Sequence, residues 1–437
     1  MTRAFGATAL ALGAAACGSG ATGSRWVSFP IPRGTTTYGG ATGAGPIKSA
    51  TAITEVFGNG MRIVAVAVEY DKDIDDTKLA RSAFTVRGRT VVEVRANTSA
   101  ATAQKGRNGK YVIVTLSPDD SGTSLHYSSG LSGGVKTAKA SVTQTETVTT
   151  TDDTTYSPTG TAVATSKVIN PIVDDFNQFA YKDTTTGDTL QYNLFVPRDY
   201  DAGTAYPLVV FMHDAAATST DVLTTLVQGL GAVCWASPED QTRHPCLVLA
   251  PQYAGLVAGD NYQATSMRDT TVSLIRSLAG QYSIDMDRLY ATGQGGGGML
   301  AIAMNIAYPN LFAASYLVAC RWDPAEVAPL ARDRLWIVVS QGDGSAYPGM
   351  SVITGVLERG GAKVSRAVWN GRSTAQQFDV HVDRMVAEAA SINYAVLERG
   401  TVVPEWQADT SLNNHLGTWA IAYAIPGIRE WIFAQRR

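Results

Sequence analysis

The chain has 437 residues, of which 45% are hydrophobic and 17% are charged, and its formal net charge is −3. This composition excludes disorder of the whole chain, and the length predicts two or three domains. A nearly balanced charge, without a basic run that alternates with aromatic residues, argues against a nucleic-acid partner.

The first residues, MTRAFGATALALGAAACGSG, have the pattern of a secretory signal. One Arg precedes an uncharged stretch rich in Ala and Leu, and Ala14-Ala15-Ala16 matches a small-residue cleavage site. We therefore predict that residues 1–26 are a signal peptide or flexible tail, and that the protein is secreted or held at the cell surface. A lipoprotein acylated at Cys17 is the weaker alternative, because Ala14 rather than Leu stands three positions before it. The apolar stretch is shorter than the roughly 20 residues of a transmembrane helix, and no later stretch predicts one.

Residues 27–168 are predicted to form an immunoglobulin-like β-sandwich. Short runs rich in Val, Thr and Ile, such as SAFTVRGRTVVEVRANT and GKYVIVTLSP, alternate between apolar and polar residues and are separated by turn residues. Such strands at short spacing are typical of a sandwich. The Thr-rich stretch 137–163 could instead be a flexible stalk.

Residues 169–437 predict a different architecture, in which apolar strands alternate with helical segments. YPLVVFMH, PCLVLAPQ, RLYATG and LWIVVSQGD have the length of strands, and DTTVSLIRSLAGQY has the periodicity of an amphipathic helix. Strands that are apolar on both faces indicate a mostly parallel, doubly wound sheet with helices on both sides. Reactive groups are then expected beyond the carboxyl ends of the strands.

Cys234 and Cys246 flank the polar segment WASPEDQTRH. In an oxidising compartment this spacing suits a disulfide, although two separate buried thiols would also fit. No cysteine spacing in the chain resembles a zinc site.

The segment LYATGQGGGGML, residues 289–300, predicts a strand, a glycine-dense turn and a helix. A G-x-S-x-G nucleophile elbow belongs at such a place. With the motif aligned on Gly293 and Gly297, the residue at the nucleophile position is Gly295. Glycine offers no oxygen, so an acyl-enzyme cannot form at this residue.

Residues 169–437 resemble α/β-hydrolases of the esterase and polyhydroxyalkanoate-depolymerase-like group, in particular secreted esterases with an N-terminal immunoglobulin-like domain. The segments that carry the resemblance are VVFMHDAAA, WASPEDQTRHPCLVLAPQY, YATGQGGGGM, YPNLFAASYLVAC, SQGDGSAYPGM and NNHLGTWAIAYAIPGIREWIF. The resemblance implies an α/β-hydrolase fold and hydrolysis of carboxylic esters, with a small-molecule or polymeric ester as substrate and neither cofactor nor metal. It leaves the oligomeric state open.

The α/β-hydrolase fold requires the chain order nucleophile, acid, histidine. Asp343 follows the strand LWIVV and is the predicted acid, with Asp323 one strand earlier as its rival. His415, in SLNNHLGTW, is the predicted base and is expected on a loop, whereas His381 has the pattern of a surface helix. In the intact arrangement the histidine accepts the proton of the nucleophile and the aspartate orients the ring.

The oxyanion hole requires two backbone donors. The resemblance assigns one to the amide of Gly296 and the other to the loop around Asp214 and Ala215, where this group usually has His-Gly and this chain has His213-Asp214. A carboxylate at that place opposes an oxyanion unless it points away. Aromatic residues near these segments are candidates for the substrate pocket, although each could instead belong to the core: Tyr253, Trp322, Tyr347 and Trp419.

Gly295 leaves three explanations open. It is an engineered replacement in an active esterase, or part of a natural pseudo-enzyme that binds a ligand without turnover, or the site of a residual hydrolase in which water fills the space of the lost side chain and His415 activates it. The sequence therefore predicts an esterase scaffold that is inactive or strongly impaired, with a non-catalytic ligand-binding protein as the alternative.

Overall fold

The computed structural model describes residues 27–30 and 45–437. The predicted signal peptide and Cys17 lie outside the described residues. Within the described part of the chain, no helix is long and apolar enough to cross a membrane.

Two sheets form an all-β sandwich in the N-terminal part of the chain. The larger sheet has the spatial order Lys167–Ile169, Ile47–Phe57, Gly60–Ile74, Gly109–Leu116 and Val91–Asn97, and the smaller has the order Val163–Ala164, Ser141–Gln144 and Phe84–Val86. Two hairpins accompany them, His126–Ser129 with Ser132–Val135 and Val148–Thr149 with Thr155–Tyr156. In the strand Gly60–Ile74, Val66 and Val68 pack into one hydrophobic cluster and Ala65 and Ala67 into another, so this part of the strand is buried on both faces.

A ten-stranded mixed sheet forms the second unit. From one edge to the other its strands are Val27–Pro30, Asn177–Lys182, Thr189–Phe195, Leu247–Gln252, Tyr206–Met212, Ile284–Gln294, Ala314–Val318, Leu335–Ser340, Ile392–Leu397 and Val364–Trp369. From Leu247–Gln252 onward all neighbours in this order are parallel, and the preceding pairs are antiparallel.

Helices cover this sheet on both faces. In the strand Tyr206–Met212, Leu208 and Val210 pack into one hydrophobic cluster while Val209 and Phe211 pack into another, so the strand is buried on both sides. The α-helices of the described residues are Thr224–Val227, Leu230–Val233, Pro238–Arg243, Met267–Ala279, Gly296–Ala307, Ala346–Arg359, Ala375–Ala387, Ser411–Ala422 and Pro426–Phe433. The predicted combination of a doubly wound sheet and a β-sandwich is confirmed.

The strand Val27–Pro30 differs from the predicted division of the chain. It pairs with Asn177–Lys182 at the edge of the large sheet, although residues 27–168 were assigned to the sandwich. A strand of this length has too few residues to show a period, and its partner lies far away in the sequence. The other predicted boundary, at residue 169, falls at the end of the sandwich strand Lys167–Ile169.

The predicted disulfide is not formed. Cys234 and Cys246 are free and buried, and the segment between them contains the helix Pro238–Arg243. Ser237 caps that helix by accepting a hydrogen bond from the amide of Asp240. The polar residues that suggested an open loop therefore belong to a capped surface helix, and the two cysteines are separate core thiols.

Candidate active site

The glycine-dense turn forms a sharp strand-to-helix elbow. The strand Ile284–Gln294 ends at Gly295, which has a φ of 51° and a ψ of −121°, and the helix Gly296–Ala307 begins at the next residue. A Cβ at Gly297 would lie 2.0 Å from the carbonyl oxygen of Met212, so only glycine lets this helix approach the neighbouring strand. The strand, the sharp turn and the helix have the geometry predicted for an elbow, and Gly295 at the turn carries no side chain.

Asp343 lies in the loop directly after the strand Leu335–Ser340 and is almost completely buried. Its Oδ1 accepts hydrogen bonds from the amides of Ser345 at 3.0 Å and Ala346 at 2.9 Å. Burial acts to raise the pKa of Asp343, but the bond to His415 and these amides outweigh it and lower the pKa. The side chain is therefore a fixed carboxylate.

His415 lies on the helix Ser411–Ala422 and not on the predicted loop. Thr410 caps this helix by accepting a hydrogen bond from the amide of Asn413, so the helix already begins four residues before the histidine. The buried Asn414 accepts a bond from Ser340 Oγ at 2.9 Å, which ties the helix to the end of the strand that precedes Asp343. A helix held in this way gives the imidazole a fixed position.

The structure brings His415 and Asp343 together. His415 Nδ1 lies 2.7 Å from Asp343 Oδ2, which is the geometry of a histidine oriented by a carboxylate. The two rival residues have other surroundings. Asp323 accepts a hydrogen bond from the amide of Ala325 in its own turn. His381 lies on the helix Ala375–Ala387, where its ring stacks on that of Trp369.

The carboxylate of Asp214 occupies the place that any side chain on residue 295 would need. A Cβ placed on Gly295 would lie 2.0 Å from Asp214 Oδ2 and 3.1 Å from His415 Nε2. Asp214 Oδ2 forms an ion pair with His415, at 3.9 Å from Nε2, and accepts a hydrogen bond from the amide of Gly296 at 3.3 Å. The carboxylate therefore points into the site. The sequence indicated that a carboxylate at residue 214 would oppose an oxyanion, but it could not show which way the side chain points.

The backbone around Asp214 holds the side chain in this position. Asp214 Oδ1 accepts a hydrogen bond from the amide of Ala216 at 2.8 Å, and the amide of Asp214 donates to the buried Gln228. His213 Nδ1 donates to the carbonyl oxygen of Asp214, while its Nε2 accepts from the amide of Tyr253. Burial lowers the pKa of His213 to about 4, so this ring is a neutral support for the loop.

His415 therefore lies between two carboxylates. Burial alone would lower its pKa, but Asp214 and Asp343 outweigh that effect and raise the pKa to about 9. Burial acts to raise the pKa of Asp214, yet His415 and the amides of Ala216 and Gly296 lower it. At neutral pH the site thus holds an imidazolium between two carboxylates.

Both predicted oxyanion donors lie at this site. Gly296 and Ala215 line the same cleft, and a Cβ at Gly296 would lie 3.4 Å from the amide nitrogen of Ala215. The amide of Gly296 already donates to Asp214, so the donor that should stabilise an oxyanion is bound to a resident anion.

None of the four aromatic candidates for the substrate pocket lines the cleft, and Trp419 is buried with its ring edge-on to that of His415. Tyr253 is buried with its hydroxyl bonded to Thr271, and Trp322 is buried with its indole N–H bonded to Glu326. Tyr347 packs against the core beside Ser351 on its own helix. Each lies next to a site segment in the sequence, but Tyr253 and Trp322 turn inward to fill the core, and the half-buried Tyr347 packs against it.

The cleft has a volume of about 500 Å³ and an apolar wall. Met299, Leu256 and Leu412 contribute to it from the large unit, and Leu131 contributes from the hairpin of the sandwich. The same hairpin contacts the Asp214 loop, because the amide of Gly133 donates to the carbonyl oxygen of Thr218 at 2.8 Å. Leu131 was not predicted from the sequence, because its surroundings there are those of an ordinary turn.

Among the described residues, no group of three or more His, Cys, Asp or Glu side chains is arranged to hold a metal ion.

The large sheet and its helices have the α/β-hydrolase fold, and a β-sandwich accompanies them. Residues 49–157 match the family described as the esterase Ig-like N-terminal domain. The crystal structure of a thermostable esterase is 27% identical, with a TM-score of 0.77 over 89% of this chain and all of that chain. The scaffold is thus that of an esterase with an N-terminal immunoglobulin-like domain.

Other solved structures match a smaller part of the chain. A mutant of the feruloyl esterase module from Clostridium thermocellum is 13% identical, with a TM-score of 0.37 over 57% of this chain and 87% of that chain. An S-formylglutathione hydrolase from Agrobacterium tumefaciens is 12% identical, with a TM-score of 0.34 over 52% of this chain and 88% of that chain. No curated protein sequence matches.

Proposed function

We propose that this protein binds an ester in the cleft of an esterase scaffold without forming an acyl-enzyme at residue 295, so that ester hydrolysis is absent or strongly impaired. The observation that carries this proposal is the position of Asp214, whose carboxylate lies where a serine side chain would stand. The thermostable esterase with the same two-domain scaffold supports an ester as the ligand.

Electrostatic repulsion opposes ester hydrolysis at this site. Attack on an ester carbonyl develops negative charge on its oxygen, which must be stabilised by the amide of Gly296. That amide donates to Asp214, and a second negative charge about 4 Å from the carboxylate costs roughly 4 kcal/mol at an effective dielectric constant of about 20. This corresponds to about a thousandfold loss of rate.

The protonation of His415 opposes the same reaction. A general base must have a free lone pair, but His415 has a pKa of about 9 and carries a proton at neutral pH. The alternative in which water fills the space of the lost side chain loses support, because Asp214 Oδ2 lies in that space.

Asp214 and Gly295 form a matched pair. A serine at residue 295 would bring its Cβ within 2.0 Å of Asp214 Oδ2, so the present position of Asp214 requires glycine. This match favours a natural binding protein over a single engineered replacement, which would leave the surrounding loop suited to serine.

The test is to restore the serine site in two steps. We would assay p-nitrophenyl acetate and butyrate with the unaltered chain, Asp214→Gly, Gly295→Ser and the double variant. Only the double variant is expected to show an acyl-enzyme burst followed by turnover, because it restores the nucleophile and frees both His415 and the Gly296 amide.

His415→Ala in the background of the double variant is the matched control and should abolish turnover. A burst from the unaltered chain would refute the proposal. A folded double variant that neither acylates nor binds the esters would show that the cleft is not an ester site.

We also propose that the protein is exported, because its first residues have the pattern of a secretory signal. Expression with residues 1–26 in a bacterial host, followed by mass spectrometry of the extracellular fraction, tests this. Intact chain found only in the cytoplasm would contradict it.

A further inference from the structure

The Asp214 carboxylate has the features of a nucleophile, and the proposed ester binding makes no use of them. It lines the cleft, it is ionised, and it lies at the carboxyl end of the central strands, where this fold presents its attacking atom. Its two oxygens offer about four lone-pair positions, of which amide hydrogen bonds from Ala216 and Gly296 take two. The remaining lone pair of Oδ2 faces His415 Nε2 at 3.9 Å, which is longer than an ordinary hydrogen bond.

We propose that Asp214 opens epoxides, the three-membered cyclic ethers, by forming a covalent alkyl ester through its Oδ2. This activity goes beyond the ester binding proposed above and uses the same cleft.

The choice of an sp³ carbon follows from the chemistry of a carboxylate. Attack on an ester carbonyl would have to expel an alkoxide, a much stronger base than the carboxylate, so the intermediate would return to the starting materials. Attack on an epoxide carbon relieves ring strain and gives a stable ester. Carboxylates act as covalent nucleophiles in several enzyme classes.

In the first step Asp214 Oδ2 forms a bond to one epoxide carbon, and the bond from that carbon to the ring oxygen breaks. The released oxygen takes the proton from His415 Nε2, which lies 3.9 Å from the attacking oxygen. The products are a hydroxyalkyl ester on Asp214 and a neutral imidazole. His415 is protonated at neutral pH, so it cannot act as a base toward an ester, but it can donate this proton to the epoxide oxygen.

The second step releases the product. Once Asp214 is esterified it no longer carries the charge that held a proton on His415, so the neutral ring can accept one from water. The hydroxide attacks Asp214 Cγ, and the negative charge falls on Oδ1, which accepts a hydrogen bond from the Ala216 amide at 2.8 Å in the resting site.

The bond from Cγ to Oδ2 then breaks, and the diol leaves with Oδ2 and with the proton from His415. The carboxyl group gains its oxygen from water and gives its proton to His415, which restores the starting state. The sum is one epoxide and one water converted to one diol.

The cleft suits a small apolar epoxide. Its volume of about 500 Å³ exceeds that of an arylalkyl epoxide, and Met299 and Leu256 supply apolar contacts on the wall. We therefore choose styrene oxide as the probe.

The decisive experiment is a single turnover in water enriched in the heavy oxygen isotope, with the unaltered full chain in excess over styrene oxide. The mechanism predicts that the heavy oxygen enters the peptide containing Asp214 and that the first diol released is unlabelled. Steady-state diol formation should exceed the uncatalysed rate by about 10²-fold or more.

Variants test each group separately. Asp214→Asn should lose diol formation. His415→Gln should lose both the alkyl ester on Asp214 and the diol, because the imidazolium supplies the proton in the first step; intact-mass spectrometry detects the ester in the unaltered chain. Asp379→Asn is the matched control, since this carboxylate is exposed on the helix Ala375–Ala387 and does not line the cleft, and it should leave the rate unchanged.

Heavy oxygen in the first diol, with none in the peptide, would overturn the proposal, as would the absence of diol above background from the folded, unaltered chain. These outcomes are independent of the restored-serine experiment, so failure of either proposal can be recognised separately.

Discussion

Asp214→Asn removes one of the two carboxylates beside His415 while it keeps the size of the side chain. The carboxylate lies 3.9 Å from His415 Nε2, and at an effective dielectric constant of about 20 this attraction is worth up to roughly 4 kcal/mol. That energy corresponds to a pKa change of as much as about three. We expect the pKa of His415 to fall from about 9 to near its ordinary value of 6.5.

The same change alters how stability depends on pH. A pKa that is higher in the folded state than in the unfolded chain adds stability that is fully present below about pH 6.5 and is lost as the pH rises through about 9. For His415 this difference amounts to roughly 3 kcal/mol. The lowered pKa values of Asp214 and Asp343 change the free energy of unfolding only at acidic pH. The same holds for His126 and His213, whose pKa values are lowered to about 4.

Histidine ring NMR signals followed from pH 5 to 10 give the pKa, and thermal midpoints at several pH values give the stability. The unaltered chain should lose thermal stability between about pH 6.5 and 9, whereas Asp214→Asn should lose little in that range. His415→Gln identifies the signal. A His415 signal that titrates near 6.5 in the unaltered chain, or that is unchanged by Asp214→Asn, would refute the argument.

Other substitutions test the packing around the site. Gly295→Ala should destabilise the protein by about 1 to 3 kcal/mol, because residue 295 has positive φ and its new Cβ would overlap Asp214. Adding Asp214→Gly removes this overlap and should therefore recover part of the lost stability, measured by a thermal melt. Arg429→Met removes the buried partner of Asp240 at 2.9 Å, leaves only the more exposed Arg243 at 3.1 Å, and should cost about 3 kcal/mol. Adding Asp240→Leu should restore most of the thermal midpoint, and failure to do so would contradict the ion-pair explanation. Leu131→Ser should weaken binding of an apolar ester at constant thermal midpoint, since this side chain is exposed on the cleft; unchanged affinity would remove Leu131 from the wall.

The sequence predicts the fold and the elbow because their signals are local. Strand and helix periods indicate the doubly wound sheet. The glycines at 293 and 297 indicate the elbow, because only glycine allows the helix to approach the two strands so closely. The placement of Asp343 after a strand also required only local information. The pairing of Asp343 with His415 further needed the chain order of the α/β-hydrolase fold, because the two residues lie 72 positions apart.

The features that the sequence did not predict depend on neighbours that are distant in the chain. The orientation of Asp214 depends in part on the hydrogen bond from the amide of Gly296, which lies 82 positions away in the chain and which periodicity does not reveal. The inward turn of Tyr253 and Trp322 reflects core space that only the packed structure defines. The helix around His415 was missed because its glycine and asparagines are weak helix formers, and the contact between Asn414 and Ser340 helps to hold it in place.

The edge strand Val27–Pro30 has a consequence for expression of shortened proteins. The backbone enters the large sheet, leaves to form the entire sandwich and then returns to the same edge, so the sandwich is an excursion within the hydrolase unit. A truncation that starts at residue 169 would expose the backbone of Asn177–Lys182, and such free edges promote association between copies. A soluble hydrolase fragment would therefore need this short strand supplied by a linker that bypasses the sandwich.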